Sequence, residues 1–217
     1  MDSATAAFDA KQMGYDLYFL HTTYGQQTAD KESECARKLA DYMDVNDFLH
    51  IETDHLAQIG ASSLTDERID VEETALDSEE IPSSYVPFRN ANLLSMATSY
   101  AEANECDAIF IGAHSEDYSG YPDCRPVFFD AFQNVIDAGT KPETSIELQV
   151  PFVDYTKTKI VGRGIELDVP YKLTWSCYRE EGPACGTCDA CAYRLKAFQE
   201  FGIKDPISYL TRPSYLG

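Results

Sequence analysis

Apolar and polar positions along this chain change period repeatedly, and each change marks an element. The opening MDSATAAFDAKQMGYDLYFLH reads as a helix over its first dozen residues that runs straight into a strand. Gly14 supplies the helix stop, and residues 15–21 form a mostly apolar run bounded by turn residues. Ala29, Cys35, Ala36, Leu39, Ala40 and Met43 recur at helical spacing and predict a second helix over 28–43. DFLHIE at 47–52 predicts a short strand. Residues 60–84 keep no period and carry acidic clusters, so they predict a long loop or lid, a length that usually signals function or disorder.

The second half repeats the alternation. NANLLSMATSYAEANE at 90–105 is amphipathic with Asn at its start, and DAIFIG at 107–112 is a buried strand ending in Gly. A polar, Gly/Pro-punctuated loop, AHSEDYSGYPDCRP, precedes a helix over about 127–137. A strand at 145–151 and a helix at 156–167 follow. Strands alternating with helices imply βα units and a parallel sheet, in which ligands sit outside the carboxyl ends of the strands. The predicted class is α/β, with a doubly wound parallel sheet over residues 1–170 and a smaller C-terminal segment over 171–217.

Composition narrows the picture. With 217 residues, 44% hydrophobic and 25% charged, the chain has the makeup of an ordinary globular protein. No stretch approaches the about 18–20 consecutive apolar residues that span a bilayer, and no basic segment followed by an apolar one opens the sequence. The expectation is a cytoplasmic protein without membrane contact. Thirty-seven acidic against seventeen basic residues give a net charge of -20, which repels a phosphate backbone and disfavours direct nucleic-acid binding. Such acidity is either a solvated, self-repelling surface or an adaptation to a salty cytoplasm, where screening removes the cost of repulsion.

The strongest local signal is TWSCYREEGPACGTCDACAYRLKAF, in which Cys177, Cys185, Cys188 and Cys191 fall within fifteen residues. Two overlapping CxxC steps bring three thiols into one turn, and Cys177 folds back across a loop holding Gly182 and Pro183. Four thiolates suit one structural Zn2+, closed to catalysis because protein fills every position. A reducing cytosol opposes disulfides, and a redox pair needs only two cysteines. The ion is expected to pin the helix beginning near Asp189 to the main domain. Cys35 and Cys106 read as small packing residues, and Cys124, in the polar loop PDCRP, reads as a packing residue with a role at a ligand site as the alternative.

SYVPFRN, DYSGYPDCRP and the TWSCY…CGTCDAC pattern together make the chain closely resemble the QueC family, the 7-cyano-7-deazaguanine synthases. The resemblance runs through YGQ at 24–26, SSLTD at 62–66, PFVDYTKTKIV and AFQEFGIKDP, and so covers nearly every residue in order. It implies an ATP pyrophosphatase (PP-loop) fold of the adenine-nucleotide-hydrolase-like type with a C-terminal zinc-binding helical appendage. That family carries a Ser-Gly-Gly-x-Asp-Ser loop after its first strand; Met1, Asp2 and Ser3 resemble the last positions of that loop, so the first strand and the Ser-Gly-Gly are expected to be missing here. Either the start is misplaced and further residues lie upstream, or the chain is truncated. Unpaired strand edges, at about 1–3 kcal/mol per buried group, favour the first, with activity expected only in an extended form.

The reaction implied by the resemblance turns 7-carboxy-7-deazaguanine, ammonia and ATP into the 7-nitrile preQ0, which feeds queuosine or archaeosine, through an acyl adenylate and then an amide. The same resemblance places Asp2 and Ser3 at the nucleotide, with Mg2+, and Arg89, Asn90 and Lys157 at the reacting groups. Tyr24, Gln26, Asp117, Tyr118, Tyr121, Asp123 and Arg125 fall on the substrate side, where a deazapurine stacks on a tyrosine and donates to an aspartate. From the residues alone Asp2 is a helix cap and nothing more, while the alternatives are a solvent salt bridge for Arg89, a cap for Asn90, a surface lysine for Lys157 and a well-made turn for SGYPD. Thr23 and Gln27 depart from the commoner family residues, Asp and Arg. The four histidines show no ligand spacing. A homodimer is implied by resemblance only. The alternatives are another pyrophosphatase of this fold, such as a tRNA-thiolating enzyme, and an inactive truncated homologue that keeps its zinc knuckle.

Overall fold

A computed structural model describes residues 1–66, 68–74, 76, 80–117 and 120–216, the side chain of Asp117 excepted. Helix α1 (Asp2–Gln12) buries Ala4, Thr5, Ala6 and Ala10. It ends in a Schellman turn: Gly14, at φ +95°, donates to the Lys11 carbonyl and Tyr15 to the Ala10 carbonyl. That turn consumes the Tyr15 N–H, so strand β1 (Tyr18–Thr23) starts three residues later than the apolar run suggested. Helix α2 (Ala29–Met43) and strand β2 (Asp47–Glu52) follow as read, and a one-turn helix α3 (His55–Ile59), absent from the sequence reading, leads into the long loop.

Beyond the loop come α4 (Arg89–Ala103), β3 (Ala108–Phe110), α5 (Pro126–Gly139), β4 (Glu147–Gln149), α6 (Lys157–Glu166) and α7 (Asp189–Glu200). Strands β1 and β2 pair in parallel, Tyr18 opposite Asp47 through Thr23 opposite Glu52. Strands β3 and β4 pair likewise, Ala108 opposite Glu147. Among the described residues these are two separate parallel pairs, where the alternation of elements predicted one continuous sheet. Among the described residues no ladder joins β1 to β3.

Two apolar clusters hold these layers. Leu94, Phe129, Phe132, Ile136 and Ile146 pack α4 and α5 around β3 and β4. Met1, Ala4, Leu39, Met43, Val161, Ala197 and Phe198 bring α1, α2, α6 and α7 together. Helix α7 is therefore anchored by its own apolar face. Arg194 adds a second anchor: fully buried, it grips Asp205 through two hydrogen bonds of 2.6 and 3.0 Å and also donates to Thr174 and the Tyr171 carbonyl. A buried pair of this kind is tolerated because every donor of the fork finds an acceptor.

Candidate active site

The carboxyl end of β3 sets the floor of the site. Gly112 lies against the first turn of α1 so closely that a Cβ there would fall 2.6 Å from the Ser3 nitrogen. Only glycine permits that approach. Above this contact opens a cavity of about 250 Å³. Asp2 and Ser3 of α1, the 24–28 segment after β1, Glu32 of α2, Arg89 of α4, Lys157 of α6, and Trp175, Ser176 and Tyr178 line it.

At one end, Lys157 Nζ lies 3.1 Å from Asp2 Oδ2 and 3.1 Å from His114 Nε2. With the ammonium as donor, His114 accepts at Nε2. Burial alone would raise the Asp2 carboxyl; Lys157 and His114 outweigh it and hold the group well below the usual carboxylate range. Asp2 Oδ1 is buried without a hydrogen-bond partner among the described residues. An ionised oxygen left in this state has the donor chemistry that suits a hard divalent cation.

In the middle, Arg89 Nη1 donates to the Tyr24 hydroxyl at 3.2 Å, and its guanidinium lies 5.9 Å from that ring's centre. Arg89 follows Phe88, which caps α4 in the left-handed region at φ 58°. Burial pushes the Tyr24 phenol up against the opposing pull of Arg89, so the pair stays phenol and guanidinium at neutral pH. Gln26 accepts from the Tyr24 N–H at 2.8 Å and donates to Glu32 at 3.1 Å. Gln27 donates to the Ser63 carbonyl, so this position, one of the two departures from the family pattern, ties the wall to the long loop.

The structure thus brings Asp2, Ser3, Tyr24, Gln26, Arg89 and Lys157 to one cavity. It places Asn90 and Asp123 elsewhere. Asp123 Oδ2 accepts the Asn90 backbone N–H at 2.7 Å, and Asn90 Nδ2 donates to the Asp123 carbonyl at 3.0 Å and to Cys124 Sγ at 3.1 Å. All three are buried, and the arrangement caps the start of α4. Cys124 belongs to the apolar cluster, as a packing residue. Tyr121 shares a 3.0 Å hydrogen bond with Ser84, and Arg125 is an exposed residue at the start of α5; neither lines the cavity. Asp117 ends a short 3-10 turn, but its side chain, like all of Tyr118, lies outside the described residues.

Sequence reasoning missed Thr28, Glu32, Trp175, Ser176 and Tyr178 as cavity residues. A faint signal existed for Thr28 and Glu32, four residues apart where α2 begins. For the other three it lay in their position beside Cys177.

Cys177, Cys185, Cys188 and Cys191 are buried with their sulfurs within 4.8 Å of one another, a group that could hold a metal ion. Backbone N–H groups of Arg179, Glu180 and Cys185 point at Cys177 Sγ, and those of Thr187 and Cys188 at Cys185 Sγ, at 3.3–3.4 Å. Such donors stabilise thiolate over thiol, as a ligand set requires. Gly186, at φ +86°, makes the turn possible, since a Cβ there would meet the Thr211 carbonyl at 2.0 Å.

Parallel strand pairs sandwiched by helices, a polar cavity at strand carboxyl ends and a buried four-cysteine knuckle define an α/β protein with a metal-competent C-terminal segment. The family model described as Queuosine biosynthesis protein QueC matches residues 1–202. The 7-cyano-7-deazaguanine synthase of Haloarcula marismortui is 69% identical over 216 residues, 99% of this chain and 93% of the relative. That of Halobacterium salinarum is 65% identical over 215 residues, 99% and 94% of the two chains. That of Chlorobium phaeobacteroides is 51% identical over 216 residues, 100% and 96%. The chain belongs to the QueC family.

Proposed function

We propose that this protein is an ATP-dependent ligase that converts 7-carboxy-7-deazaguanine and ammonia into 7-cyano-7-deazaguanine. The observation that carries the reading is identity of 51–69% along nearly the whole chain to relatives bearing that name. The cavity supports it with cationic and aromatic groups converging on one space.

A carboxylate resists substitution because oxide is a poor leaving group. Its attack on the α-phosphorus of ATP forms a C–O–P link and expels pyrophosphate. Ammonia then displaces AMP and gives up a proton, leaving the amide. A second adenylation on the amide oxygen expels another pyrophosphate, and loss of AMP with the remaining N–H protons yields the nitrile. Little covalent work falls to the protein, whose task is to position groups, neutralise charge and exclude water.

The helix start at Asp2 and Ser3 offers free N–H groups and a partial positive charge to phosphate, with the Ser3 hydroxyl as a further donor. Lys157 neutralises a phosphate oxygen, held in place by Asp2 and His114. Asp2 Oδ1 would hold the Mg2+ of the nucleotide, which supplies charge neutralisation. Arg89 grips the substrate carboxylate or phosphate with the donors it does not spend on Tyr24. Asn90 and Asp123 serve as the clasp that fixes Arg89 at the cavity edge. The four cysteines would hold one Zn2+, which supplies rigidity to the C-terminal segment and no reactivity.

A tRNA-thiolating pyrophosphatase of the same fold is disfavoured by the charge of -20. The test is a reaction mixture of ATP, 7-carboxy-7-deazaguanine and ammonium with this chain and, beside it, with a form extended upstream of Met1, where activity is expected, analysed for AMP and by mass spectrometry for the nitrile. AMP formation that requires both other substrates, with nitrile as product, is expected. ATP cleavage indifferent to the deazaguanine would overturn the reading.

A further inference from the structure

Glu32 is a carboxylate at the cavity that the reading above leaves unused. It lies in the first turn of α2, and its two oxygens are held separately: Thr28 Oγ1 donates to Oε1 at 2.7 Å, and Gln26 Nε2 donates to Oε2 at 3.1 Å. Both donors are themselves buried, Thr28 at 1% exposure and Gln26 at 6%. Thr28 is the cap residue of α2, yet its hydroxyl accepts no backbone N–H; it is turned toward Glu32 and the Cys177 carbonyl instead. A side chain that forgoes capping to orient a carboxylate indicates a built position. Gln26 is fixed in turn by the Tyr24 N–H.

A carboxylate offers about four in-plane acceptor positions. Two are filled, one on each oxygen, so each keeps one more. Glu32 forms no ion pair among the described residues, and burial pushes its carboxyl up, with Thr28, Gln26 and Arg89 offsetting only part of the rise. Asp2, the other cavity carboxylate, is committed to Lys157. The rings of Tyr24, Trp175 and Tyr178 border the same space and suit a flat heterocycle.

Two parallel acceptors beside aromatic walls complement a planar edge with two adjacent N–H donors. A 2-amino-4-oxopyrimidine ring presents that edge through its ring N–H and exocyclic amine. An adenine presents a ring acceptor beside its amine, which a carboxylate repels. We infer that Glu32 is the residue that selects the deazaguanine ring, accepting from its ring N–H and 2-amino group. This rests on the ligase reading, and it transfers to Glu32 the base-recognition role that the family resemblance implies for Asp117 and Asp123. Asp123 is spent on capping α4.

The test is calorimetric titration of the full chain with 7-carboxy-7-deazaguanine, with its analogue lacking the 2-amino group, and with ATP, for wild type, Glu32→Gln and Glu32→Asp. Wild type is expected to favour the amine-bearing ligand by about 10- to 100-fold, the range for one buried hydrogen bond left unmade. Glu32→Gln should erase that preference while ATP affinity and melting temperature hold, and Glu32→Asp, which keeps the charge, should retain part of it. Preference surviving in Glu32→Gln overturns the inference. So does an equal loss for all three ligands, which would make Glu32 a brace for Gln26 and Thr28. Unchanged heterocycle binding with a raised ammonium requirement would reassign Glu32 to ammonium and overturn it as well. Wild type that binds ATP but neither heterocycle would remove the ligase reading itself, and this inference with it.

Discussion

Lys157 and Asp2 are the first residues of two different helices, and their side chains meet at 3.1 Å. An acid suits a helix start and a base does not, because the backbone dipole is positive there. Asp2 therefore offsets a lysine that its own helix disfavours, and the bridge joins two elements more than 150 residues apart.

Lys157→Met should leave Asp2 buried without its counter-charge and cost about 3 kcal/mol at pH 7, a typical penalty for a stranded buried charge. In wild type the Asp2 carboxyl lies below its ordinary 3.8, so its contribution is complete above that pH and fades only in stronger acid. In the variant burial dominates and the carboxyl rises, so the deficit should shrink as pH falls from 7 to 5. Urea unfolding at both pH values measures the difference; a deficit independent of pH would show that the lysine acts by packing alone.

Asp123→Ala should remove the acceptor for the Asn90 N–H and destabilise the protein by about 1–2 kcal/mol, the usual effect of losing a helix cap. Because neither residue lines the cavity, substrate affinities should change less than melting temperature. Thermal melts beside binding titrations separate a clasp from a ligand contact.

His21 and His50 stand in register on β1 and β2 with ring centres 5.3 Å apart, and His21 Nε2 is buried without a hydrogen-bond partner among the described residues. Burial, helped by His50, pushes the His21 imidazole down to about 4 from 6.5. The unfolded chain then binds this proton more readily than the folded one, so stability is full above pH 6.5 and declines as pH falls toward 4. His21→Leu should flatten that decline. Guanidinium melts across pH 4–7 read it directly, and an unchanged slope would assign the acid sensitivity elsewhere.

Metal analysis should find one zinc per chain. Cys188→Ser or a strong chelator should lower the melting temperature by about 10 °C or more, as expected where ion binding contributes folding free energy. A Cys188→Ser chain as stable as wild type, in the presence of zinc, would remove the ion from the structural account.

Local signals carried much of this architecture. DFLHIE became β2 with the bounds read from its letters, and α2 needed only the recurrence of Leu39, Ala40 and Met43. The four cysteines were legible because all the sulfurs lie within one short stretch. Features set by distant pairing were not. The clasp joins Asn90 to Asp123 across 33 positions, and no local pattern distinguishes a capping aspartate from a ligand-binding one. Glu32 reads as a surface acid on an amphipathic helix until the turn at 24–28 folds over it. The division into two strand pairs likewise depends on what lies beside each edge, which periodicity does not encode.

Ser176 and Tyr178, two walls of the cavity, are the immediate neighbours of Cys177, whose carbonyl accepts from Thr28. The opposite end, at Asp2 and Lys157, is supported by α1, α6 and the Gly112 contact. The two ends of the pocket are thus framed by different segments that meet on α7, where Ala197 and Phe198 pack with Met1, Ala4 and Val161. Substitutions beside Cys177 should therefore reshape the Tyr178 end of the pocket first and reach the Asp2 end only through α7.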